Sequence, residues 1–244
     1  RFCQAGFLYR PIREKSPDTI NSQCKRLCDT TGYDEISLSS LSTSDYREIE
    51  DLLEQMLKWS EQSNISIALP SLRIDNFPKE LLEKVQSVRK SSLTFAPEAG
   101  TQRLRDVINK NVTEEEIMRT CTTAFAGGYT NVKLYFMLGL PTETDDDLRG
   151  ITELGQRIVN VYYNMPERQK GRSVNVSISV SSFVPKPFTP FQWEPQDTIE
   201  VLHSKQRHIK DSITTKKIQF NYHDADTSYL EAVFARGDRK LCKV

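Results

Sequence analysis

No charge of either sign dominates this sequence: 33 lysines and arginines stand against 33 aspartates and glutamates in 244 residues. A chain built to grip the phosphates of nucleic acid, or an anionic membrane surface, carries a basic excess, so the balance weighs against both partners. Long apolar runs are missing too. None approaches the roughly 20 residues of a membrane-crossing helix, and no secretory leader is visible within the sequence. Cysteine is sparse, with five at positions 3, 24, 28, 121 and 242. An odd, scattered set is not a secreted disulfide framework, and it fits a reducing, cytoplasmic setting. Histidine is scarcer still. Of the three, His203 and His208 are five positions apart, off the i, i+4 spacing of a helical metal pair, and read as solvated.

What remains is an ordinary globular composition, 37% hydrophobic, long enough for one sizeable core; a single domain over residues 1–244 is expected. Ser16-Pro17 is a helix start and Gly32 its end. The apolar series Ile20, Cys24, Leu27, Cys28 has helical period, which assigns both thiols to a helix core. From there the chain repeats one unit, a short strand, a polar turn and an amphipathic helix. Strands are expected near 35–41, 65–69, 92–97, 131–139, 174–183 and 217–221. Helices are expected near 45–62, 78–90, 101–109, 113–126, 144–162 and 197–213. Thr113 with Glu116, and Thr144 with Asp147, have capping-box spacing. Such an order implies parallel strands with right-handed crossovers, hence a barrel or a doubly wound sheet.

Strand parity separates the two. Parallel strands covered by helices on both faces are apolar throughout. Here Val132, Leu134, Phe136 and Leu138 alternate with Lys133, Tyr135, Met137 and Gly139, and Val174, Val176, Ile178 and Val180 with Asn175, Ser177, Ser179 and Ser181. Leu93 and Phe95 likewise alternate with Thr94, Ala96 and Glu98. One face therefore packs on helices while the other lines a polar lumen, wider than the side-chain-filled interior of a closed eight-stranded barrel. The expected fold is α/β, a partial, open TIM-like barrel of parallel βα units.

Two strand ends look chemical. In MLGLPTET (137–144) Gly139 would let a planar group approach the backbone, although a tight strand-to-helix turn needs the same residues. In FAPEAGTQRLRDVINK (95–110), Glu98 points into the lumen by parity; it could accept hydrogen bonds from ribose hydroxyls or a substrate amine, or pair with Lys133 across the lumen. Lys133, in the middle of a strand, needs a partner of its own, Glu98 or a cofactor or substrate carboxylate. FVPKPFTPFQWEP (183–195) reads as an irregular loop at the mouth, a lid or plain packing. His223, Asp224 and Asp226 could hold a metal, but a capped turn into a last helix at Thr227 is the favoured reading.

Together RFCQAG, EISLSSLSTSDY, LTFAPEAGTQRLRDVINK, VKLYFMLGLPTET and SSFVPKPFTPFQW resemble, in order and spacing, the radical S-adenosylmethionine (SAM) core of a bacterial Fe–S oxidoreductase-like family related to methylthiotransferases and cobalamin-dependent radical SAM proteins. The resemblance covers nearly all of the chain. It implies a [4Fe–4S] cluster held by three cysteines, with one iron left for SAM, and reductive cleavage of SAM to a 5′-deoxyadenosyl radical that attacks a substrate. Cys3 becomes the last of the three ligands, with Phe2 near the adenine. Ser39 and Ser40 align with the amino-group contact, where the family usually has a GGE-like sequence. Glu98 falls at the ribose strand, Leu138 and Gly139 at the adenine motif, Phe183 and Val184 at a further adenine backbone contact, and Lys133 at the SAM or substrate carboxylate. No residue is an obvious substrate acid or base.

With C-x3-C-x2-C spacing the other two cysteines would precede Arg1, so residues 1–15 are expected to be the remnant of the cluster loop. A first barrel strand would precede it, residues 184–244 would complete the C-terminal part of the barrel, and the chain as it stands would not hold a cluster. A flavodoxin or ferredoxin electron donor and, through an upstream domain, cobalamin are implied partners. The alternative from another class is a non-catalytic barrel that binds a nucleotide-like or other small polar ligand.

Overall fold

A computed structural model of the chain describes residues 1–68, 93–166, 168 and 171–243. The helix expected near 78–90 and the last residue of the strand expected at 65–69 lie outside the described residues. After a helical turn, α1 (Ala5–Leu8), the order is α2 (Pro17–Thr31), β1 (Glu35–Ser37), α3 (Ile49–Ser60) and β2 (Ser66–Ala68). Then follow β3 (Leu93–Glu98), α4 (Gln102–Val107), α5 (Glu114–Ala126), β4 (Asn131–Leu138) and α6 (Asp145–Asn164). The chain continues through β5 (Asn175–Ser182), α7 (Ile199–Ser212), β6 (Ile218–Tyr222) and α8 (Ala225–Arg236). Among the described residues the six strands are in parallel pairs, β1 with β2 and β3-β4-β5-β6 in sequence order. Among the described residues no ladder joins the two sheets, and the barrel is not closed.

The strand parity holds where it is most regular. On β4 and β5, Val132, Leu134, Phe136, Leu138, Val176, Ile178 and Val180 are all at most 2% exposed. They share one core with Ile117, Cys121 and Ala124 of α5, Ile151, Leu154 and Ile158 of α6, and Leu202 and Ile209 of α7. Each such side chain contributes on the order of 2 kcal/mol. A second core joins β1 and β2 to α2 and α3 through Cys24, Cys28, Ile36, Leu53, Met56 and Ile67, so the two thiols are helix core.

Helix starts follow the sequence chemistry closely. Ser16 accepts from Thr19 N ahead of Pro17, Thr113 and Glu116 close a capping box, and Thr144 and Asp147 close another. Asp224 caps α8 by accepting from Thr227 N at 2.8 Å, so the 223–226 cluster is a helix start. The strand expected at 35–41 is shorter, ending at Ser37. Ser40 Oγ accepts from Ser42 N at 3.0 Å, which bends the backbone out of the sheet.

Candidate active site

The carboxyl ends of β3, β4 and β5 converge on a third apolar cluster of Ala99, Leu104, Ile108, Leu140, Phe183 and Phe191, with Phe2 and Met137 packed against it. Phe2 thereby docks the amino-terminal segment at the end of a parallel sheet where ligands collect. Polar contacts on two sides fix the segment further. Arg1 N donates to Ile108 O at 2.7 Å and Arg1 Nη1 to Val107 O at 2.9 Å, beyond β3. On the other side Phe191 N donates to Arg1 O at 3.4 Å and Gln4 Nε2 to Pro187 O at 3.0 Å. Cys3 sits between these anchors with an exposed free thiol, its sulfur accepting from Ala5 N at 3.4 Å. Phe7 stacks on Phe188 with ring centroids 4.4 Å apart, tying α1 to the 183–195 loop.

Gly139 ends β4 in the left-handed region at φ 73°. A Cβ there would lie 2.8 Å from Asp197 Oδ2. The group that comes close to this glycine is thus a carboxylate of the chain itself. Gly139 N donates to Glu143 Oε1 at 3.0 Å, and Lys205 Nζ bridges Glu143 Oε1 at 2.7 Å and Asp197 Oδ2 at 2.6 Å. The Glu143 side chain is only 1% exposed, and its Oε2 is buried without a hydrogen-bond partner. Burial pushes the Glu143 carboxyl up, against the pull of Lys205 and the Gly139 N–H. Burial works against the Lys205 ammonium, but its hydrogen bonds to Asp197 and Glu143 outweigh that and hold it above its ordinary value. Leu138 and Phe183 meet directly, Phe183 N donating to Leu138 O at 2.7 Å, and Val184 follows, buried.

A second polar knot sits beside this turn. Asp147, 2% exposed, accepts from Thr144 N and Thr144 Oγ1, both at 2.8 Å, and from Thr101 Oγ1 and Arg103 Nη2. Burial alone would raise its pKa; these donors overcome that and hold it below the usual carboxylate range. Gly100 makes the approach possible, because a Cβ there would fall 2.3 Å from the Asp147 carbonyl oxygen. The turn after β3 is in this way bolted to the start of α6.

Glu98 does not pair with Lys133. A bulge at the end of β3 sets Phe95 opposite Leu134 but Glu98 opposite Phe136, and Glu98 itself has φ 67°. One extra residue shifts the row, so simple alternation stops one step short of it. Its partner is Lys110, at 3.5 Å, just beyond α4. Burial raises the Glu98 carboxyl and Lys110 offsets part of the rise. The Lys133 ammonium instead lies 4.7 Å from the Tyr135 ring centroid. Ser39 and Ser40 are exposed beyond β1. Glu143, Asp197, Lys205 and Lys110 were not singled out by sequence. Glu143 alone had a local signal, as the acid four residues after Gly139; the 62-residue separation of Lys205 from Glu143 leaves none.

Residues 1–155 match the Radical SAM superfamily. The chain belongs to that superfamily. Membership implies a [4Fe–4S] cluster and SAM as cofactors, and an enzyme. An uncharacterised protein of Methanocaldococcus jannaschii is 30% identical over 245 aligned positions, which cover 100% of this chain and 50% of that protein. The chain thus spans about half the length of this curated relative. Among solved structures, the radical SAM methyltransferase TsrM from Kitasatospora setae, with cobalamin and a [4Fe–4S] cluster bound, aligns with a TM-score of 0.52 at 11% identity over 68% of this chain and 31% of its own. Methanocaldococcus infernus Elp3 with an N-terminal deletion aligns with a TM-score of 0.54 at 8% identity, over 95% and 62%. At such identities these likenesses show the radical SAM fold alone. Among the described residues no three His, Cys, Asp or Glu side chains are grouped to hold a metal, and no helix is long and apolar enough to cross a membrane.

Proposed function

We propose that residues 1–244 form a single radical SAM core domain that cleaves SAM reductively to modify a substrate. The observation that carries the reading is the double anchoring of the segment that holds Cys3, through Arg1 and Gln4, with Phe2 packed against the cluster that contains Phe183. Its free, exposed thiol suits a soft cluster ligand. The other two cysteines of the C-x3-C-x2-C spacing precede Arg1 in this reading. A cluster held there would supply the one-electron reduction that splits SAM into methionine and a 5′-deoxyadenosyl radical.

The chain's own residues bind, orient and exclude water. Phe2 and Met137 offer apolar contact to the adenine, and the backbone of Leu138, Gly139, Phe183 and Val184 forms its edge. Glu98, a partly buried acceptor at the end of β3, takes the ribose hydroxyls, with Lys110 as its counter-ion. Ser39 and Ser40 supply the contacts to the SAM amino group from the end of β1. The electron comes from a flavodoxin- or ferredoxin-type donor, and five free cysteines support a cytoplasmic setting. None of residues 1–244 is assigned to cobalamin.

The test is anaerobic reconstitution of the protein bearing the native residues that precede Arg1, followed by incubation with SAM and dithionite. The expected result is iron and sulfide uptake and formation of 5′-deoxyadenosine, both lost in Cys3→Ala. An iron-free, cleavage-negative protein that still binds a nucleoside would instead identify a binding barrel.

A further inference from the structure

The open face of the four-stranded sheet is organised in layers by register. Thr94, Lys133, Ser177 and Gln219 are successive Cα partners across β3, β4, β5 and β6. Tyr135, Ser179 and Asn221 form the next layer toward the carboxyl ends, and Met137 and Ser181 the one beyond. Within β4, β5 and β6 Lys133 is the only charged side chain, and Glu98 at the bulged end of β3 is paired with Lys110. Among the described residues no carboxylate pairs with it, and its ammonium leans toward the next layer, over the Tyr135 ring. Around it stand hydroxyls and amides that donate hydrogen bonds, with Asn221 Nδ2 already donating to Ser177 Oγ at 3.2 Å. A cation whose described neighbours are neutral donors, with no acid among them, is complementary to an anion.

Position decides which anion. Lys133 lies six residues before Gly139 along β4, about 20 Å at ~3.3 Å per residue. A lysine side chain covers only about a third of that. Met137, which packs against the same apolar cluster as Phe2, lies on β4 between the Lys133 layer and Gly139. A SAM molecule seated at Cys3 and Gly139 therefore keeps its carboxylate out of reach of Lys133.

We propose that Lys133, with Tyr135, Ser177 and Ser179, is the substrate subsite of this barrel, and that the substrate carries an anionic oxygen group, a carboxylate or a phosphate, held deep in the lumen by the Lys133 ammonium. This rests on the radical SAM reading for the placement of SAM. It fixes the polarity of the substrate: the anionic end lies toward the amino ends of the strands, and the carbon to be attacked lies above it, toward Met137.

The experiment is titration of the isotopically labelled protein with inorganic phosphate and, separately, with succinate, followed by amide NMR shifts; it needs no cluster. Saturable shifts at Tyr135, Ser177 and Ser179 are expected, with affinity falling at least about tenfold in Lys133→Met and retained in Lys133→Arg, both variants having wild-type melting curves. Tighter binding of phosphate identifies a phosphate-bearing substrate, and tighter binding of succinate a carboxylate. The proposal is overturned if neither anion moves these amides at tens of millimolar, or if Lys133→Met binds both as the wild type does. It is also overturned if Lys133→Met raises the SAM concentration for half-maximal cleavage, which would give the lysine to the cofactor. A protein that fails to take up iron but passes the titration sinks the radical SAM reading and leaves the anion subsite standing.

Discussion

At the scale of the residue, two positions carry more of the site's shape than their size suggests. Gly139 is in the left-handed region with a carboxylate where a side chain would go, so Gly139→Ala adds backbone strain to displacement of Asp197. A loss of about 1–2 kcal/mol in urea unfolding is expected, together with weaker SAM binding in the reconstituted protein. Asp147 is the second. Its hydrogen bonds from Thr101, Thr144 and Arg103 outweigh burial and hold its carboxyl below the usual carboxylate range in the folded state, so the native protein holds fewer protons there than the unfolded chain. Its contribution is therefore fully present above about pH 4 and is lost as pH falls through the folded value. Asp147→Asn should cost about 1–2 kcal/mol at neutral pH and flatten the acid limb of the stability curve, measured by unfolding between about pH 2 and 6.

At the scale of the element, the turn between β4 and α6 is held from a distance by α7. Lys205 reaches Glu143 across 62 positions, and Asp197, just before α7, fills the space at Gly139. Removing the cation alone leaves two carboxylates facing each other with one of them buried. Lys205→Met should therefore destabilise by about 3 kcal/mol, while Lys205→Met combined with Glu143→Gln should recover part of the loss; additive effects in the double-mutant cycle would contradict the network. This network also marks where sequence reading stops. Capping boxes at Thr113 and Thr144, the alternation on β4 and β5 and the burial of Cys24 and Cys28 were legible because each depends on neighbours within a few residues. The partner of Glu98 was not. One bulge beside Pro97 changes the row, and Lys110 is brought in by the path of α4, which no period encodes. The strand expected at 35–41 is too long because the alternation of Ile36 and Leu38 with Ser37 and Ser39 runs past Ser37, while a serine turn at 40–42 decides the ending.

At the scale of the whole molecule, the five thiols sort by location. Cys24, Cys28 and Cys121 are buried in two separate cores, and Cys3 and Cys242 are exposed. Burial pushes the Cys121 thiol up to about 12, which leaves almost no thiolate at neutral pH. Iodoacetamide under native conditions should modify Cys3 and Cys242 alone, with the other three reacting only as the protein unfolds; mass spectrometry of the digested protein reads this directly. The open sheet belongs to the same scale. The parallel order and the polar face were readable from composition along each strand, whereas how far the sheet curls depends on segments far apart in the chain.

The clasp that holds the amino-terminal segment has a mechanical consequence. Arg1 is bonded to Ile108 on one flank and to Phe191 on the other, Gln4 reaches Pro187, and Phe7 lies flat on Phe188. The segment with Cys3 is thus a crossbar strung between the two rims of the mouth. Whatever displaces the 183–195 rim must drag the crossbar with it, so the thiol can register events at the mouth. A fluorophore on Cys3 would then report movement of the 183–195 loop.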